Sequence, residues 1–152
     1  MLLQRRWADS FGSVVIAFGT DEETELTRRI VEDLRAQGHQ VTEPVRGAQW
    51  PEVGRAVGEA VSSGQADRGI VCCFTGTGVS IAANKVAGAR AALCTDAATA
   101  AGARRWNDAN VLALGLRLTS VEVAREVVEA FLSTPVDAAE QDAICRVEPA
   151  LG

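Results

Sequence analysis

Gly69-Ile-Val-Cys72-Cys73-Phe-Thr75-Gly76-Thr77-Gly78-Val79-Ser80-Ile-Ala-Ala-Asn84-Lys85 passes from an unbroken apolar run, through a glycine-rich turn, into a helical pattern. An apolar run of that length suits a strand buried on both faces, as parallel strands are. The turn then sets a thiol, Cys73, at the strand's end, where loop N–H groups and a helix N-terminus converge. A helix N-terminus favours negative charge, and a thiol beside one ionises below its usual pKa of about 8.5. Such a thiolate can take a proton from carbon while the amides of residues 76–80 hold the oxygen that becomes negative. A cysteine at a strand end is, on its own, more often a small buried hydrophobe; the combination with the cradle carries the chemical reading. The glycine spacing fits neither the dinucleotide fingerprint nor the P-loop, so no nucleotide cofactor is expected.

Outward from this stretch, strands and helices alternate. Residues 13–18 form a β-branched apolar run ending at Gly19, and a polar helical pattern over 22–37 is stopped by Gly38. Residues 40–43 predict a second strand, and 51–62 a helix with Pro51 in its first turn and Gly64 after it. The third strand is 68–73, followed by a short helix over 79–86. Residues 90–94 give a fourth strand, and Asp96 caps an alanine-rich helix over 97–105. Residues 111–114 give a fifth strand, and Thr119-Ser-Val-Glu122 reads as a capping box for a helix reaching Leu132. A weaker terminal helix covers 136–147. The pattern predicts a single α/β domain over 12–152, a doubly wound five-stranded parallel sheet with helices on both faces. Residues 1–11 read as an extension with Trp7 as its one obvious anchor. Ligands of such sheets bind beyond the carboxyl ends of the strands, where Asp21, Cys73 with Thr75, and Thr95 with Asp96 fall.

At 152 residues and 47% hydrophobic content the chain suits one domain with a sizeable core. A net charge of -5 argues against a nucleic-acid surface, which needs clustered basic excess. No segment has the apolar length of a membrane helix, and the expected setting is the cytoplasm. The four cysteines and the single histidine, His39, lack zinc spacing, so no metal is expected. Arg104-Arg105 reads as a solvated pair near a helix C-terminus, and Glu22, Glu23 and Glu25 as first-turn acids.

Residues 69–85, together with Arg90-Ala-Ala-Leu-Cys94 and Asn107-Asp-Ala-Asn-Val-Leu-Ala-Leu-Gly115, resemble the ribose-5-phosphate isomerase type B and galactose-6-phosphate isomerase family. The resemblance runs from about Ser13 to Leu132. It implies cofactor-free aldose–ketose isomerisation through a cis-enediolate, in a homodimer or dimer of dimers whose active sites are shared between subunits. By the resemblance Cys73 is the base between C1 and C2 and Thr75 the hydroxyl beside it. Gly76, Thr77, Gly78, Val79 and Ser80 form the amide cradle, Asp21 follows the first strand, and Asn107 belongs to the shared site. Trp50-Pro51 stands where the family has Tyr-Pro, which keeps an aromatic wall without its phenol.

The chain departs from the family in three places. The family's Asp-His after the first strand is Asp21-Glu22 here, leaving Glu22 as a replacement acid or base. The histidine that opens the sugar ring is Trp106, which cannot carry a proton. The C-terminal arginines that grip phosphate are missing in register, with Glu140 at the first and Arg146 the only substitute. These changes point to a sugar or hydroxy-ketone other than ribose 5-phosphate. The competing readings are a subunit completed by a homologous partner chain, as in galactose-6-phosphate isomerase, and a metabolite-binding homologue without catalysis. His39 reads as structural, and Trp50 and Trp106 have packing as their plainer role.

Overall fold

In a computed structural model, residues 12–148 are described; the predicted N-terminal extension with Trp7 lies outside them. Five strands, β1 (Val15–Thr20), β2 (Gln40–Thr42), β3 (Arg68–Cys73), β4 (Ala91–Leu93) and β5 (Val111–Gly115), alternate with helices. The helices are α1 (Glu25–Ala36), α2 (Trp50–Ser62), α3 (Thr77–Asn84), α4 (Ala97–Asn107) and α5 (Val121–Ser133). A 3-10 turn (Ala138–Glu140) and a short α6 (Gln141–Cys145) follow, where one terminal helix over 136–147 was expected. All pairings are parallel and the strand order is β2-β1-β3-β5-β4.

Side-chain alternation along the strands divides the core in two. Ile16, Phe18, Ile70, Cys72, Leu112 and Leu114 pack with α1, α4 and α5. Ala17, Val71, Cys73, Val111 and Ala113 pack with α2 and α3 on the other face. The two adjacent thiols therefore face opposite layers, as a two-residue period requires. On the second face α2 lies almost against α3: a Cβ on Gly54 would stand 2.5 Å from the Ala82 Cβ and 2.8 Å from the Val79 carbonyl oxygen. That contact, available only without a side chain, sets how closely α3 lies against α2.

Several helix boundaries differ from expectation, and hydroxyls explain two of them. α1 starts at Glu25 because Thr24 and Thr27 form a reciprocal capping box. Thr20 meanwhile ties Glu22 into a turn, its Oγ1 donating to the Glu22 carbonyl at 2.7 Å and accepting from the Glu22 amide at 3.3 Å. Glu22 and Glu23 are thus loop residues, and Glu25 alone sits in the first turn. α5 is capped by Ser120, which accepts from the Val123 amide, rather than by Thr119. α3 begins two residues earlier than predicted, since Gly76 adopts the left-handed cap conformation, φ 79°. Asp96 caps α4 as expected, through the Thr99 amide at 2.7 Å.

Both outer strands are three residues long. On β4 the Asn84 side chain takes the place of a sixth strand at one residue: its Nδ2 donates to the Ala91 carbonyl at 2.9 Å and its Oδ1 accepts the Ala91 amide at 2.8 Å.

Candidate functional site

At the carboxyl edge of the sheet β3 delivers Cys73, which is 5% exposed. The Cys73 carbonyl accepts the Leu116 amide and the Phe74 carbonyl the Arg117 amide, both at 2.9 Å, so the loop after β5 is zipped onto the turn after β3. Gly76 closes that turn. A Cβ there would lie 2.6 Å from Leu93 Cδ1 and 2.8 Å from the Leu114 carbonyl carbon, and its positive φ would strain any side chain placed there.

No side chain caps the N-terminus of α3. The first-turn amides of Thr77, Gly78 and Val79 thus lack intrahelical partners, as in any α-helix, and point out of its end. The Thr75 and Thr77 hydroxyls meet at 2.8 Å across the cradle's rim. Trp50, the first residue of α2, lays its indole over Gly78, where an added Cβ would be 2.8 Å from the ring. Ser80 is bonded back to the Gly76 carbonyl and continues the helix.

Asp21 leaves β1 beside β3, its amide reaching the Cys72 carbonyl at 3.4 Å. Partial burial raises its carboxyl above the ordinary range, against the pull of a hydrogen bond from its own amide and with the Glu22 charge adding to the rise. Burial also pushes the Cys72 thiol far up, with Cys73 and Asp21 adding to it, and takes Cys94 up to about 11. Neither thiol is available as a thiolate near neutrality.

Trp106, Asn107 and Arg146 are at the other edge. α4 runs back against the strands and ends where β5 begins, with the Asn110 amide bonded to the Arg90 carbonyl just before β4. Cys73 is level with Gly115 at the far end of β5, so about 13 Å of strand separates the two levels. Trp106 folds onto its own helix, against Gly102, and stays 54% exposed. Asn107 is exposed as well, and so is Arg146, the C-cap of α6, which packs with the 3-10 turn beside the end of α4. One chain therefore unites Cys73, Thr75, Trp50, Asp21 and Glu22 with a cradle of Gly76, Thr77, Gly78 and Val79, whereas Ser80, expected in that cradle, has its amide taken by the Gly76 carbonyl. The chain holds Trp106, Asn107 and Arg146 apart from them.

Arg104 overturns the solvated-pair expectation: it is 1% exposed, with Nη1 donating to Asp108 Oδ1 at 2.8 Å and to the Ala109 carbonyl at 2.7 Å. Its partner in sequence, Arg105, is exposed. Two residues of the carboxyl edge escaped the sequence reading. Gly115 admits the Thr75 backbone, whose carbonyl oxygen would be 2.6 Å from a Cβ there. Arg117 brings a cation to the loop beside Thr75. The Gly-Leu-Arg directly after an apolar strand was the available signal for both.

No group of three or more His, Cys, Asp or Glu side chains among the described residues is arranged to hold a metal ion, and no helix among them is long and apolar enough to cross a membrane. Fold and site together define a parallel α/β protein of the open-sheet class, with a thiol and an uncapped helix N-terminus at the strands' carboxyl edge. Residues 16–148 match the Ribose/Galactose Isomerase family, and the chain belongs to it.

Among its relatives is galactose-6-phosphate isomerase subunit LacB of Clostridium acetobutylicum, 39% identical over 78% of this chain and 72% of that one. D-erythrulose-4-phosphate isomerase of Pectobacterium atrosepticum is 39% identical over 77% and 81%. The crystal structure of a ribose 5-phosphate isomerase from Thermotoga maritima superposes with a TM-score of 0.84 at 35% identity, covering 90% of this chain and 99% of that one.

Proposed function

We propose that the protein is a cofactor-free aldose–ketose isomerase for a short phosphosugar that does not cyclise, with Cys73 as its base. Membership of the family supports sugar-phosphate isomerisation. The observation that carries the substrate reading is Trp106 where the resemblance places the ring-opening histidine. An indole cannot shuttle a proton, and a substrate without a ring has no need of one. D-Erythrulose 4-phosphate, the compound named for one relative, has no free hydroxyl far enough from its carbonyl to close a five-membered ring. Its aldose isomer carries phosphate on the oxygen that would close one.

In the proposed reaction the Cys73 thiolate removes a proton from C1 of the ketose. The C–H electron pair becomes the C1–C2 double bond, and the carbonyl π pair moves onto O2. The first-turn amides of α3 hold that oxyanion. The Thr75–Thr77 hydroxyl pair passes the O1 proton to O2, and Cys73 returns its proton to C2, leaving the aldehyde at C1. Asp21 and Glu22 bind the substrate hydroxyls, Trp50 walls the carbon chain, and Arg117 offers the phosphate a cation.

A second copy of the chain completes the site by bringing its Trp106, Asn107 and Arg146 over the cradle, because one chain holds the two sets at opposite edges. The LacB relative is named as a subunit, which favours, as a second reading, a homologous partner in that place. The test is solvent deuterium incorporation and turnover with D-erythrulose 4-phosphate, ribose 5-phosphate and galactose 6-phosphate, using the purified chain alone. Exchange confined to the four-carbon substrate and lost in Cys73→Ala is expected. Preference for ribose 5-phosphate refutes the acyclic substrate, exchange surviving in Cys73→Ala refutes the base, and activity only after a homologous chain is added selects the second reading.

A further inference from the structure

Arg90 lies in the turn before β4, at the amino edge of the sheet, and its side chain is 20% exposed. Its guanidinium reaches two separate segments. Nε donates to the Asp108 carbonyl at 2.8 Å, and Nη2 to Asp108 Oδ2 at 3.3 Å. Nη1 donates to Glu148 Oε1 at 2.9 Å and grazes the Gly88 carbonyl at 3.5 Å. The other oxygen of Glu148 accepts the Gly88 amide at 3.1 Å, so the C-terminal arm is pinned at both oxygens of one carboxylate. Asp108 is shared as well: its Oδ1 accepts from the buried Arg104. Its backbone is left-handed at φ 48°, the only positive φ outside glycine among the described residues.

We propose that Arg90 is the positioning residue of the partner-facing half-site. This rests on the shared-site reading above. Asp108 directly follows Trp106 and Asn107, and its conformation sets the direction in which the chain leaves α4. Glu148 lies two residues beyond Arg146. One guanidinium therefore sets the end of α4 and the C-terminal arm in a common frame, although Arg90 itself points at no substrate. A planar five-donor fork suits this task, since it engages a carbonyl and two carboxylates from fixed directions, which an ammonium cannot do.

The prediction is that Arg90→Gln lowers kcat/KM for D-erythrulose 4-phosphate by about a hundredfold, the scale on which a displacement of about 1 Å costs rate. Glu148→Gln loosens only the arm bearing Arg146, and should raise KM with kcat unchanged. The deciding measurement is subunit mixing. A dimer of one Arg90→Gln chain and one Cys73→Ala chain contains one site with an intact thiol from the first and an intact half-site from the second. Random mixing of equal amounts should therefore restore about a quarter of the wild-type activity of the same total protein. A chain that had merely misfolded could not rescue its partner.

The control mixes Asn107→Ala with Cys73→Ala. If the control is rescued and the Arg90→Gln mixture stays at the level of its parents, Arg90 does not act on the half-site and the proposal is overturned while the shared site stands. If neither mixture is rescued, the shared-site reading fails and the proposal falls with it. Wild-type kcat/KM in Arg90→Gln alone would also overturn it.

Discussion

Gly78→Ala separates what Trp50 does for the site from what it does for stability. The residue sits in the first turn of α3 under the Trp50 indole, and a Cβ would stand 2.8 Å and 2.9 Å from two ring atoms and 3.3 Å from a third. Ordinary carbon contact begins near 3.5 Å, so the ring must retreat by about 0.7 Å. It has room to do so, being 43% exposed. The loss of packing on one methyl-sized patch is about 0.8 kcal/mol, and the gain from replacing glycine by alanine within a helix is about 0.8–1.0 kcal/mol. The two nearly cancel. A thermal melt should therefore move by no more than about 4 °C, given roughly 2–4 °C per kcal/mol for a domain of this size. Catalysis has no such compensation, because the indole that walls the cradle is displaced while the thiol is untouched; kcat/KM should fall about tenfold. Melting by circular dichroism and turnover of D-erythrulose 4-phosphate measure the two effects side by side. Full activity with an unchanged melt would refute Trp50 as a wall of the site, and a melt lowered by 10 °C would refute the freedom of the ring to move.

Gly76→Ala meets both a left-handed backbone and three neighbours inside 3 Å, Leu93, Leu114 and Gly115, and should cost about 2–5 kcal/mol, the sum of the conformational and overpacking penalties, read by denaturant unfolding. His39 accepts the Val14 amide on Nδ1 and burial lowers its pKa below 6.5. The neutral ring therefore contributes stability that is complete above pH 6.5 and declines as the pH falls below it toward the depressed folded value. Between pH 7.5 and 5 the melting temperature of wild type should fall more steeply than that of His39→Gln. Thiol labelling with iodoacetamide at pH 8 should modify the exposed Cys145 first, with Cys72 and Cys94 protected by burial and raised pKa until the protein is unfolded; mass spectrometry of timed samples reads the order.

The alternation of strands and helices was legible because each boundary carries a physical mark. Gly38 and Gly64 adopt positive φ just past α1 and α2, as stop signals should, and Asp96 offers the hydroxyl-free cap that α4 uses. The start of α1 was not legible, since three nearby glutamates imitate a first turn while threonine hydroxyls, which are weaker signals in sequence, decide the boundary. The inner place of β5 follows from packing among distant segments, which local pattern does not encode. Arg104 was misread although its phase was visible: Ala100, Ala103 and Arg104 share the buried face of α4 at i, i+3 and i+4. The division of the candidate site into two edges was implicit in chain order, because residues following a parallel strand lie at its carboxyl edge and residues preceding one lie opposite.

The Asn84 clamp on β4 has a consequence for how copies of this chain meet. An open sheet edge invites another strand, and natural sheets guard against that with short, obstructed edges. Here each edge spans only three residues, and the side-chain amide occupies the outward-facing N–H and C=O of Ala91. Strand addition across molecules is thereby discouraged at the β4 edge. Asn84→Ala would leave the outward-facing N–H and C=O of Ala91 open to a strand from another molecule.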